Sequence, residues 1–185
     1  AGNFTEAIAQ FQAVVEASYD LDTEDPNELK AIAGSKKFIV TCYNKMGVAA
    51  INAKDYEAAV ESFTNAANYA ELYEDIASMN KNRTLIGQVY EVQGADAFNS
   101  EDYATAIAVF SKGYEADPRN TGMALNLAES YFRSDMYQDG MKICANISSL
   151  NADKYAEAIA EAQAKMNMYT NNEVAKLQMA NDYDG

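Results

Sequence analysis

Lys54-Asp55-Tyr56-Glu57-Ala58-Ala59-Val60, followed by Phe63, is the stretch that decides the fold, because the chain repeats it. A Gly or polar pair, an aromatic, an alanine with an aliphatic neighbour and a second aromatic also occur in Gly2-Asn3-Phe4-Thr5-Glu6-Ala7-Ile8 with Phe11. A third copy is Glu101-Asp102-Tyr103-Ala104-Thr105-Ala106-Ile107 with Phe110, and a weaker fourth is Asp135-Met136-Tyr137-Gln138-Asp139-Gly140-Met141 with Cys144. The leading aromatics stand at 4, 56, 103 and 137, giving steps of 52, 47 and 34 residues. Periods of roughly 20–50 residues mark repeat architectures, whose units bury their apolar faces only by stacking on neighbours.

The segments upstream of each phrase agree with one another. Tyr43, Met46 and Gly47 precede the second copy at the distances that separate Tyr90, Gln93 and Gly94 from the third; Ala124, Leu127, Ala128 and Tyr131 precede the fourth. Together the two halves resemble the tetratricopeptide repeat pattern W-x2-L-G-x2-Y, then A-x3-F, then P. Pro118 fills the terminal proline place of the third copy, and the last step of 34 residues is the family period. The pattern departs from the family where Trp is absent, where Gln93 replaces Leu, and where Ala50 and Ala97 replace Tyr. Gly140 and Cys144 replace the packing alanine and the aromatic of the fourth copy, so its helix is expected to be looser. The resemblance extends from residue 1 to about 169 and is most complete over 40–154.

The resemblance implies an all-α fold, a right-handed α-α superhelix (solenoid) of antiparallel helix pairs. It divides one domain, 1–185, into a partial repeat 1–25, repeats at about 26–73, 74–120 and 121–154, and C-terminal helices over 155–185. Gly47, Gly94 and Ala128 are expected to face the second helix of their own pair, where a larger group would cost roughly 1–3 kcal/mol. Helical periodicity gives the same map independently. Phe4, Ile8, Phe11 and Val15 share one face of a helix over 3–19, and Asp25-Pro26-Asn27-Glu28 opens a long helix reaching about Ala53. Further helices are expected at about 55–73, 75–98, 101–115, 119–133, 136–149 and 152–168. The spacing of Thr170 and Glu173 reads as a capping box starting a short last helix over 171–181, a cap for the stack.

Composition narrows the function. No stretch approaches the ~18 unbroken apolar residues of a membrane span. The net charge of −14 repels a phosphate backbone, so no nucleic acid is expected and a neutral or basic protein partner fits better. Histidine is absent, which removes the commonest general base and metal ligand, and the chain reads as no enzyme, with no metal and no cofactor. The acidic run Asp20–Asp25 places Asp25 and Ala31 where a calcium-binding EF-hand loop needs Gly and Glu. Cys42 and Cys144 lie two repeats apart, beyond the ~7 Å reach of a disulfide, and read as buried thiols. Ala1 in place of a starting Met reads as a processed or truncated product with an upstream segment. The Asn- and Tyr-rich, Lys/Arg-poor composition leans towards a bacterial periplasm or cell envelope over the cytoplasm.

In the family the first helix of each pair lines a concave groove. Resemblance therefore implies a peptide-binding face comprising Asn44, Asn52, Gln88, Glu91, Phe98, Asn99, Glu129, Phe132 and Arg133. Asn and Gln amides can bond both polar groups of a bound backbone, while Phe98 and Phe132 would anchor apolar side chains or else close their own helix pairs. The carboxylate clamp of chaperone-binding family members is not expected, since Asn44 and Val48 stand where Lys and Asn would, and Gly122 and Asn126 occupy the later basic places. The sequence thus reads as a protein- or peptide-binding scaffold; the alternative is a glycan- or ligand-binding envelope component, suggested by its many Tyr and Asn. Self-association through an apolar end of the stack is a further option.

Overall fold

The computed structural model describes residues 3–181. These form α1 (Phe4–Ala17), α2 (Pro26–Asn52), α3 (Tyr56–Leu72), α4 (Ile76–Asn99), α5 (Tyr103–Ala116), α6 (Thr121–Arg133), α7 (Tyr137–Ser148) and α8 (Ala152–Asn181). A 3-10 turn, Ser18–Asp20, follows α1, and no strand occurs among the described residues. The all-α expectation holds, with the first seven helices within two residues of the periodicity map. No helix among the described residues is long and apolar enough to cross a membrane. Contacts divide the chain into two compact units, one reaching Val89 and one starting at Tyr90, so that α4 contributes its first half to one and its second half to the other.

The pair that opens each of the last three phrases is the turn of a helix hairpin. Lys54, Glu101 and Asp135 take left-handed backbone angles, with φ of 58°, 61° and 57°. The next residue then returns its N–H to the helix just ended: Asp55 to the Ala50 carbonyl at 2.9 Å, Asp102 to Ala97 at 3.0 Å, Met136 to Tyr131 at 2.9 Å. This is a Schellman closure, which satisfies carbonyls the helix end would leave bare. Asp55 and Asp102 at once cap the following helix, their carboxylates accepting from the N–H of Ala58 and Thr105, each at 3.1 Å. Met136 offers no such cap, and the fourth phrase is weaker for that reason too.

Each hairpin is closed by an aromatic ring laid on a small residue. A Cβ on Gly47 would lie 2.7 Å from the Phe63 ring, and one on Gly94 would lie 2.4 Å from the Phe110 ring. Both glycines thus face the second helix of their pair, as the pattern implied. The α6–α7 pair reverses the arrangement. There the ring belongs to Phe132 on the first helix and the glycine is Gly140 on the second, with 2.6 Å between a notional Cβ and the ring. Cys144, fully buried, replaces the aromatic that Phe63 and Phe110 provide. The expected looseness of this helix is therefore corrected: Phe132 supplies the volume that Cys144 lacks, and Gly140 makes room for it.

The C-terminal region departs from the expected two helices. α8 runs unbroken through Thr170, and its backbone irregularity falls instead at Tyr155, with φ −124° and ψ 25°. Between 168 and 173 stands no Gly or Pro to end a helix, and Tyr169 is buried in the core of the second unit. That anchor holds the chain helical across the expected cap.

Two outcomes test these contacts. Glu101→Gly relieves the left-handed strain on a side chain, and urea unfolding should show a gain of about 0.5–1 kcal/mol. Gly140→Ala should lose about 1–2 kcal/mol through the clash with Phe132. Adding Phe132→Leu should return part of that loss, a coupling visible in a double-mutant cycle.

Candidate functional site

In the first unit the open face belongs to α2. Residues 41, 44, 45, 48 and 52 follow the helical period, so their side chains emerge on one side while Gly47 turns to α3. They form a pocket of about 550 Å³, lined among others by Phe4, Asn44, Lys45, Val48, Asn52 and Lys81. Val48 is 51% exposed, an apolar floor without a neighbour to cover it. The carboxamide oxygen of Asn44 is buried and has no hydrogen-bond partner among the described residues. Two of the sequence-predicted groove residues, Asn44 and Asn52, are therefore brought together here.

Along α4, Gln88 belongs to the first unit and Glu91, Phe98 and Asn99 to the second. Gln88, Glu91 and Asn99 are exposed. Phe98 is half-buried and meets Tyr103 edge-on, 5.3 Å between ring centres, closing the α4–α5 pair instead of standing free.

On α6 the expected groove residues are already engaged. Phe132 is only 2% exposed and stacks on Tyr169 of α8 with 4.0 Å between ring centres, so it is not an open anchor. Glu129 accepts hydrogen bonds from Lys165 Nζ at 2.8 Å, Tyr169 OH at 2.7 Å and Arg133 Nε at 3.1 Å. Burial would raise the Glu129 pKa, but these three donors outweigh it and hold the carboxyl below its ordinary range. Burial, with Glu129 beside it, pushes the Tyr169 hydroxyl up to about 12. Two turns further, Lys176 donates to Tyr137 OH at 2.6 Å, and that hydroxyl donates to Asp135 at 2.7 Å. α8 thus covers the α6 face with its own ring and ammonium groups. Sequence reasoning missed Lys165, Tyr169 and Lys176, although a single helix would have placed all three on one stripe.

Three of the tyrosines that suggested sugar stacking face one another. Tyr43 and Tyr69 lie parallel at 5.5 Å, Tyr69 and Tyr73 are 5.9 Å apart, and Gln12 donates to the Tyr69 hydroxyl. Both cysteines are buried and free, and burial lifts the Cys144 thiol to about 11, which leaves it unreactive.

Residues 97–166 match the tetratricopeptide repeat family, from the last turn of α4 into the first half of α8. This segment is similar to tetratricopeptide repeats. Such repeats generally mediate protein–protein interactions. The matched span stops short of Tyr169, so that part of the cover over α6 lies beyond it.

Tyr169→Phe should cost about 1 kcal/mol, the hydroxyl contact alone, and Tyr169→Ala about 3 kcal/mol or more. Amide hydrogen exchange over residues 165–176 should accelerate in the second variant. Because the Glu129 pKa is lowered on folding, its contribution is present above the ordinary glutamate range and is lost as pH falls through the lowered value. Glu129→Gln should therefore flatten that part of the acid unfolding profile.

Proposed function

We propose that this chain is a protein-interaction scaffold that receives a peptide segment of its partner on the α2 face of the first unit. The observation that supports the reading is an open pocket of about 550 Å³ with the exposed Val48 and the amides of Asn44 and Asn52 in its lining. The α6 face offers a contrast, since α8 satisfies it internally. Asn52 can offer a donor and an acceptor to an extended backbone, Asn44 lies in the same lining, and Val48 can bury an apolar side chain beside them. Of the groove expected from the family, Asn44 and Asn52 carry the reading; Glu129 and Phe132 meet α8, and Arg133 pairs with Glu129. The role is binding without chemistry, in keeping with an absence of histidine.

Peptides selected from a random display library against the purified chain test the reading. Bound peptides should slow hydrogen exchange over residues 41–52, and Val48→Asp should weaken them about ten-fold. Selected peptides that protect other helices alone, with affinity unchanged by Val48→Asp, would refute it.

A further inference from the structure

We infer that the occupant of the α2 pocket is an acidic segment, one whose Asp or Glu side chains flank an apolar residue. The inference rests on the scaffold reading above and adds the chemistry of the partner. The chain carries 28 acidic and 14 basic residues, so a surface taken at random is acidic. The α2 pocket is not: Lys45 and Lys81 line it, and no Asp or Glu does among the described residues. Neither lysine forms an ion pair among the described residues, whereas Arg83, Arg133, Lys165 and Lys176 each hold a carboxylate. The two ammonium groups come from different helices, α2 and α4, with the exposed Val48 and the amides of Asn44 and Asn52 in the same lining.

The whole-chain charge of −14 pointed to a neutral or basic partner. That argument governs approach from a distance, and at physiological salt it is screened over about 8 Å. At contact the local charges decide, and here they are positive. A carboxylate meeting an unpaired ammonium at a partly covered site gains a charge-assisted hydrogen bond. The amides hold the backbone between two such contacts, and Val48 meets the residue they flank. These lysines do not occupy the places of the carboxylate clamp, so the ligand is an internal acidic stretch and needs no free C-terminus.

Three labelled peptides of one length and one framework, with Glu, Gln or Lys at the same positions around a Leu, decide the matter by fluorescence anisotropy. The Glu peptide should bind about ten-fold more tightly than the Gln peptide, and more weakly as salt is raised. In the double variant K45E/K81E the order should invert, the Lys peptide now binding best. Both lysines are exposed, so circular dichroism should show the variant folded. Equal binding of all three peptides, weakened by Val48→Asp but unchanged by K45E/K81E, would overturn the acidic preference and leave the scaffold reading intact. Binding by none of the three would overturn the acidic assignment, and display selection then decides the scaffold reading separately.

Discussion

The contact on which everything else depends is an aromatic ring pressed against a residue without a side chain. Helix pairs in this protein cross closely enough that a methyl group on Gly47, Gly94 or Gly140 would penetrate the facing phenylalanine. Such contacts gather dispersion from many atoms at once, and interiors packed to crystal density forfeit it quickly when a gap opens. They also fix the rotation of each helix about its axis. With Gly47 turned to α3, the side of α2 that carries Asn44, Val48 and Asn52 is left for solvent or a ligand. Fold and candidate site are thus set by one geometric choice.

The same choice explains the irregular third pair. A repeat with Gly140 and Cys144 in place of a small residue and an aromatic looks impoverished when each position is compared with its counterpart. Packing is a property of the summed volume, however, and Phe132 across the interface makes good the deficit. Its ring has a second partner in Tyr169, and around that stack Glu129, Arg133 and Lys165 close a half-buried polar network. A buried carboxylate is stabilising only when its oxygens are satisfied, and Glu129 meets that condition with three donors. Glu129 and Phe132, expected on a groove, thus meet α8.

The two faces differ in how much of their bonding capacity is spent. On α6 the ring is covered and the acid is saturated. On α2 an apolar side chain is bare, and among the described residues Lys45 and Lys81 hold no carboxylate. Residual capacity of this kind is what a ligand can use, because new bonds there replace none already made within the protein.

Much of this was written in the chain. The recurrence of a polar pair, an aromatic and alanine determined the hairpins, since Asp at those places both closes one helix and caps the next. The period of the apolar residues determined where seven helices run, and Gly47 and Gly94 announced the close crossings. Local rules were sufficient because each of these features involves residues near one another in sequence. Tertiary structure alone decided the rest. Whether Thr170 starts a helix depended on Tyr169 finding Phe132, 37 positions away; whether Glu129 is free depended on Lys165, 36 positions away. Lys81 shares a pocket with Asn44 although the two stand on separate helices. No periodicity encodes those meetings, for they follow from how packed helices bring distant residues side by side.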